Sequence, residues 1–101
     1  MFFMTVQRWP LSASEQVGKI AIELLRKPPP DYYKRIGPFV VPTARGVKSY
    51  LLYDVEDGRE GEAYKYIVDT YATYRTVEAY SFSIELVLSA EETLSMLGLK
   101  I

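Results

Sequence analysis

The chain has 101 residues, which is enough for one domain spanning residues 1–101 and too few for two. Hydrophobic residues make up 49% of the chain and charged residues 25%, a balance typical of globular proteins, and the net charge is −1. Because the sequence contains no basic block and no acidic tail, we expect neither nucleic acid nor an anionic membrane as a partner.

The sequence contains no cysteine and no histidine. The missing cysteines exclude disulfides, zinc–thiolate sites and thiol nucleophiles, and the missing histidines exclude the commonest metal ligand and general base. No acidic cluster has the spacing of a calcium loop. We therefore expect no metal site and no cofactor.

Two absences bear on the location of the protein. No apolar run approaches the length of a transmembrane helix. The first nine residues are too short for a signal peptide and lack its charged segment. We expect a cytoplasmic protein.

The first half of the chain predicts a strand, a helix and a hairpin. Residues 2–9 are aromatic and β-compatible, and Pro10 ends them. A capping box of Ser12 and Glu15 then predicts a helix that the prolines at 28–30 stop. Residues 31–38 are expected to form a connection, and residues 39–41 a short edge strand. The turn at 43–46 uses Gly46 for positive φ, and a central strand covers 47–55.

The second half predicts a helix over 60–74, a strand ending near Leu88 and a short last helix. The strand alternates strictly in polarity from about Tyr80, and its start lies within residues 77–79. Ser89 and Glu92 form a second capping box, and Gly98 is placed to end the last helix in a left-handed conformation.

The order strand, helix, strand, strand, helix, strand favours an α+β fold with an antiparallel sheet and both main helices on one face. The first and third strands are expected side by side in its centre. We expect the helix-facing surface to contain Phe2, Met4, Val6, Tyr80, Phe82, Ile84 and Leu86. The other face would then contain Phe3, Thr5, Gln7, Trp9, Ser81, Ser83, Glu85 and Val87.

This second face is too aromatic to be simply solvated and too polar to be a simple core, which is typical of an interface or a ligand groove. Two such faces packed across a two-fold axis would cover each other. This arrangement, which spans nearly the whole chain, resembles the dimeric α+β barrel group of ferredoxin-like proteins. The resemblance implies a β-α-β-β-α-β homodimer with a cavity between its sheets.

Members of that group include monooxygenases, isomerases and proteins without known activity. A histidine-based mechanism does not transfer to this chain, which has no histidine. Glu85 is the one candidate acid or base, if it is buried inside the barrel; the alternative is exposure or pairing with Arg45 or Lys48. The residues considered for ligand binding are Gln7, Trp9, Arg45, Tyr53, Ser83 and Glu85.

Several of these candidates also have a structural explanation. Trp9 suits a dimer interface, a lone loop arginine such as Arg45 is usually solvated, and at most one of Tyr50 and Tyr53 belongs to the core. Two functions remain open: a non-catalytic homodimer that binds a small molecule between its sheets, or a cofactor-independent enzyme, monooxygenase-like or isomerase-like, that uses the same cavity. RNA binding is disfavoured, since the sheet lacks the basic and aromatic pattern it needs.

Overall fold

A computed structural model describes residues 1–100. It has an α+β fold with a four-stranded antiparallel sheet and three α-helices, which confirms the predicted class. Short 3-10 segments precede the first helix and follow the second. The elements are β1 (Phe2–Trp9), α1 (Ser14–Arg26), β2 (Tyr33–Thr43), β3 (Gly46–Val55), α2 (Glu60–Tyr71), β4 (Ser81–Val87) and α3 (Ala90–Met96).

The strand order is β2-β3-β1-β4, and every neighbouring pair is antiparallel. β1 therefore lies in the sheet interior, between β3 and β4. Its residue Thr5 sits opposite Leu51 on one side and Ile84 on the other. Residues paired in this way share a face of the sheet, so the burial of β1 residues indicates which face the helices cover.

The expected orientation of β1 was wrong. Phe3, Thr5, Gln7 and Trp9 are buried under the helices, whereas Phe2, Met4 and Val6 are only half-buried on the uncovered face. For β4 the predicted face was right for Phe82 and Ile84, which pack against the core, whereas Leu86 is 53% exposed. The register places Phe82 beside Gln7 and Ile84 beside Thr5. Residues that we expected on opposite faces of the sheet therefore lie together on the helix-covered face.

β2 is much longer than the short strand expected at residues 39–41, and no connecting loop spans residues 31–38. The strand begins at Tyr33 and passes an irregularity in register between Ile36 and Phe39. β2 is an edge strand, and an edge position tolerates prolines such as Pro38 and Pro42, which have no N–H to donate to a neighbouring strand.

The start of α1 also differs from the sequence expectation. The Ser12 capping box does not form, because residues Leu11–Ala13 make a 3-10 turn and α1 begins at Ser14. The prolines end the helix as predicted, with Arg26 as its last residue. Only Val17 of α1 is fully buried, so this helix covers the sheet loosely.

α2 packs more tightly, through Ala63, Ile67 and Tyr71. It ends at Tyr71, before the expected end at residue 74, and continues as a 3-10 segment (Ala72–Thr76). Tyr64 of this helix is 48% exposed. The capping box of α3 is confirmed, since Ser89 Oγ accepts a hydrogen bond from the Glu92 backbone N–H at 3.0 Å. Within residues 1–100, none of the helices has the length and apolar composition needed to cross a lipid bilayer.

Gly46 lies in the β2–β3 turn, and its positive φ of 119° agrees with the sequence prediction. An added Cβ would lie 2.5 Å from the Trp9 carbonyl oxygen. We expect Gly46→Ala to lower the free energy of unfolding by about 1–3 kcal/mol, measured by urea denaturation. Gly58→Ala is the matched control, because Gly58 has a φ of 88° and no atom within 4 Å of an added Cβ. Equal losses in both variants would show that the Trp9 contact contributes nothing.

Candidate functional site

An apolar cavity of about 190 Å³, called the inner cavity below, lies between α1 and the sheet. Gly18 and Ala21 of α1 line it, and their small side chains leave the space that larger residues would fill. It reaches the surface between the second half of α1 and β2, where Leu25 is 44% and Val40 is 55% exposed. The other lining residues are Gln7, Trp9, Ser14, Val17, Leu24, Arg35, Pro38, Ser49, Leu51, Tyr53, Thr70, Tyr71 and Tyr74.

A more polar groove, called the outer groove below, adjoins the inner cavity and has a volume of about 320 Å³. The two spaces share Leu24, Arg35, Tyr53 and Thr70. Leu24 lies on α1, Thr70 on α2, and the other two are direct partners on β2 and β3. The shared residues therefore mark the junction through which a molecule could extend from one space into the other.

Arg35 is the one charged residue among the inner-cavity lining, and it also lines the outer groove. Its guanidinium donates a long hydrogen bond of 3.4 Å to the Lys27 carbonyl oxygen. A guanidinium has five N–H donors, so most of this group's capacity is available to a ligand. In the outer groove, Lys27 adds a second positive charge and Asp69 a negative one.

Three buried hydroxyl groups form a chain beside the inner cavity, which Tyr53 and Tyr71 line and Thr5 does not. Thr5 Oγ1 donates to the Leu51 carbonyl oxygen at 3.1 Å and lies 3.0 Å from the Tyr71 hydroxyl. The Tyr71 hydroxyl lies 3.0 Å from that of Tyr53. Thr5 is completely buried, and an unpaired hydroxyl there would be costly, so this chain satisfies a requirement of the fold.

Burial makes these tyrosines harder to ionise. Loss of solvation raises the pKa of the Tyr53 hydroxyl, and the neighbouring Tyr71 raises it further. Burial also raises the pKa of the Tyr71 hydroxyl, although its hydrogen bonds with Thr5 and Tyr53 oppose that effect. At neutral pH the chain therefore consists of uncharged hydroxyl groups.

Two further hydrogen bonds hold the other end of the cavity. The Gln7 side-chain amide donates to the Tyr80 hydroxyl at 2.6 Å, and the Trp9 indole N–H donates to Ser14 Oγ at 3.1 Å. The second bond joins the end of β1 to the first residue of α1. The rings of Tyr74 and Tyr80 stack with centroids 4.9 Å apart, which stiffens this end further.

The six binding candidates from the sequence fall into two groups. Gln7, Trp9 and Tyr53 line the inner cavity together. This cavity is on the helix-covered side of the sheet, whereas Gln7 and Trp9 were expected on the other face. The other three lie elsewhere and exposed: Ser83 and Glu85 beside Val6 and Met4 on the uncovered face, and Arg45 at the β2–β3 turn. Glu85, the catalytic candidate, therefore does not line this cavity.

Arg35, Thr5 and Tyr71 are site residues that were not predicted from the sequence. Arg35 was assigned to a connecting loop, although its alternation with Tyr33 would have placed both on one face of a strand. No local signal pairs Thr5 with Tyr71, since 66 residues separate them in the chain. In residues 1–100, no group of three or more acidic side chains is arranged to hold a metal ion.

Comparison with models of known protein families finds no match. The same comparison with curated proteins and with solved structures also finds none. The geometry of the site is therefore the basis for the functional argument.

The Tyr71 hydroxyl is the middle member of the hydroxyl chain, so its removal takes a hydrogen-bond partner from both Thr5 and Tyr53. We expect Tyr71→Phe to lower the free energy of unfolding by about 1–3 kcal/mol, because the buried Tyr53 hydroxyl loses its acceptor. Urea denaturation measures the change. The control is Tyr64→Phe, which removes a hydroxyl from the exposed side of α2 and should stay within about 0.5 kcal/mol of the original chain. A Tyr71→Phe variant as stable as the control would contradict this account of the chain.

Proposed function

We propose that this protein binds a small, mostly apolar molecule with one acidic group, without catalysis, and that it does so as a homodimer. The observation that carries the proposal is an apolar cavity whose lining contains a single charged residue, Arg35. The apolar body would lie in the inner cavity, within one subunit rather than between the two sheets of the dimer as expected from the sequence. The acidic group would reach the guanidinium at the junction with the outer groove.

The size and lining of the inner cavity support an apolar ligand. An apolar cavity of about 150 Å³ is large enough to bind benzene, and this one measures about 190 Å³. Small-molecule sites are commonly concave and apolar, with a few polar groups that set orientation. Here the polar groups that could do so include Arg35, Tyr53 and Gln7.

The charge balance supports an acidic group on that ligand. A carboxylate and a guanidinium can form two parallel hydrogen bonds, a geometry that a neutral group does not match. The one charged side chain of the inner cavity is positive, whereas Asp69 lies in the outer groove. A molecule that carries its negative charge at the junction would therefore be favoured over a neutral one or a cation.

The alternative function, a cofactor-independent enzyme in the same cavity, has weaker support. A general base needs a pKa near the working pH, and burial moves the pKa values of the cavity tyrosines upward, away from neutrality. Glu85 does not line the inner cavity, so it cannot act as an acid or base on a molecule bound there. These observations favour binding over acid–base chemistry. The cytoplasmic location expected from the sequence stays a prediction.

The homodimer proposal rests on the uncovered face of the sheet, called the open face below. Its centre is largely apolar. The cationic pair Arg8 and Lys48 lies at one end, and the carboxylates Asp54 and Glu85 lie toward the other, where Lys34 is opposite Asp54. A two-fold axis across the strands would place the cationic end of one copy over the acidic end of its partner. The apolar members are Phe2, Met4, Val6, Ile36, Phe39, Val41, Tyr50, Leu52 and Val87.

The dimensions of the open face also suit a dimer. Four strands about 4.8 Å apart and about eight residues long give a flat footprint of roughly 500 Å². The corrugation of side chains raises the accessible area toward the roughly 800 Å² per partner of a standard interface. The strand order β2-β3-β1-β4 and the two covering helices support a ferredoxin-like arrangement, and back-to-back pairing would complete the dimeric α+β barrel that the sequence resembles.

Gly18→Leu should block ligand binding, because Gly18 lines the inner cavity and an added Cβ meets no atom within 4 Å. Benzoate and phenylacetate serve as probes, and protein-observed NMR titration measures their binding. Gly61→Leu is the control, since Gly61 is also helical with no atom within 4 Å of an added Cβ, and it should bind both acids like the original chain. If neither acid shifts the resonances of cavity residues in the original chain, the ligand class is wrong.

Arg35→Gln should weaken the binding of benzoate about tenfold or more, because a charged hydrogen bond contributes about 1.5–3 kcal/mol. Arg26→Gln removes the same charge from an exposed position of α1 and should leave the affinity unchanged. Equal affinities in the two variants would remove Arg35 from the proposed site.

Val6→Lys tests the homodimer. Val6 lies at the centre of the open face between Tyr50 and Ser83, and a charge buried there in each subunit should convert the dimer to a monomer. Sedimentation velocity at tens of micromolar protein measures the state. Gln16→Lys adds the same charge to an exposed position of α1 and should remain dimeric. A monomeric original chain would overturn the proposal.

A further inference from the structure

The hydroxyl chain of the inner cavity has a defined direction. At one end the Leu51 carbonyl oxygen can only accept a hydrogen bond, so the single proton of Thr5 Oγ1 is used there. The 3.0 Å contact between Thr5 and Tyr71 must then be donated by the Tyr71 hydroxyl. For the same reason, the 3.0 Å contact between Tyr71 and Tyr53 is donated by the Tyr53 hydroxyl.

This direction leaves Tyr53 with no proton for a ligand. Its oxygen retains lone pairs, and Tyr53 lines both the inner cavity and the outer groove. A ligand group that reaches this oxygen must therefore donate a hydrogen bond. A ligand that presents only an acceptor would either leave two oxygens facing each other or break the contact between Tyr53 and Tyr71.

Resting on the proposed function, we infer that the ligand is a hydroxy acid, whose hydroxyl donates to Tyr53 and whose carboxylate binds Arg35. The two side chains are direct cross-strand partners on the face that lines the cavity, so one small molecule can reach both. Thr5 is a positioning residue in this arrangement. It is completely buried and is absent from the cavity lining, yet it sets which way the tyrosine protons point.

The test compares acids that differ in a single group. The 3- and 4-hydroxybenzoates offer a donor, and the 3- and 4-cyanobenzoates offer only an acceptor on the same ring. Binding to the full chain is measured by NMR titration or calorimetry. We expect the better hydroxybenzoate to bind at least tenfold more tightly than its cyano counterpart, the difference expected for one unmatched hydrogen bond.

Two variants test whether the hydroxyl chain causes the preference for the hydroxybenzoates. Thr5→Val removes the first acceptor without altering the cavity lining, so the tyrosine protons become free to turn toward the ligand. The preference for the hydroxybenzoate should then fall below threefold, with the cyano acid binding more tightly than it does to the original chain. A loss of packing alone would weaken both acids equally.

Tyr53→Phe keeps the test decisive if Thr5→Val does not fold, because it removes the accepting oxygen and should also reduce the preference below threefold. Tyr64→Phe, on the exposed side of α2 and outside both spaces, is the matched control and should retain it. Equal binding of the hydroxy and cyano acids by the original chain would overturn this inference while leaving the proposed function intact. Failure of all four acids to bind would overturn the proposed function itself.

Discussion

Burial of the Thr5 hydroxyl in the middle of a central strand is the constraint on which the helix–sheet layer depends. A hydroxyl without solvent contact needs partners, and it finds them in the Leu51 carbonyl oxygen and the Tyr71 hydroxyl. Tyr71 must therefore face β1, which sets the rotation of α2. Its ring stacks on Phe82 with centroids 4.6 Å apart, so the same contact also orients the helix against β4.

The alternation of a strand spreads this constraint over the sheet. Because side chains alternate between faces, turning Thr5 inward also turns Phe3, Gln7 and Trp9 toward the helices. Phe2, Met4 and Val6 must then lie on the open face. One buried hydroxyl thus accounts for both surfaces of interest: the polar groups at the cavity wall and the apolar centre of the proposed dimer interface.

The inner cavity exists because the two main helices pack unequally. α2 buries three residues, whereas α1 buries Val17 alone and leaves Ile22 and Leu25 about half exposed. The Trp9–Ser14 hydrogen bond holds the start of α1 near the sheet. The helix ends at Arg26, just before the prolines at 28–30. Gly18 and Ala21 lie between these points, where small side chains leave space. The loosely packed helix therefore provides the proposed site, and the tightly packed helix provides its hydroxyl groups.

Local features determined what the sequence by itself could predict. Helical spacing and the prolines defined α1 to its end, strict alternation defined β4, and Gly46 and Gly98 adopt the positive φ values that their positions predicted. The face of β1 was undecided by such features, since both of its alternating sets contain aromatic side chains. The set that faces the helices is decided by the pairing of β1 with β4 and by the distant hydroxyl of Tyr71. β2 likewise extends through Pro38 because β3 supplies its partner, so interactions between residues far apart in the chain decided the cavity, the position of Arg35 and the open face.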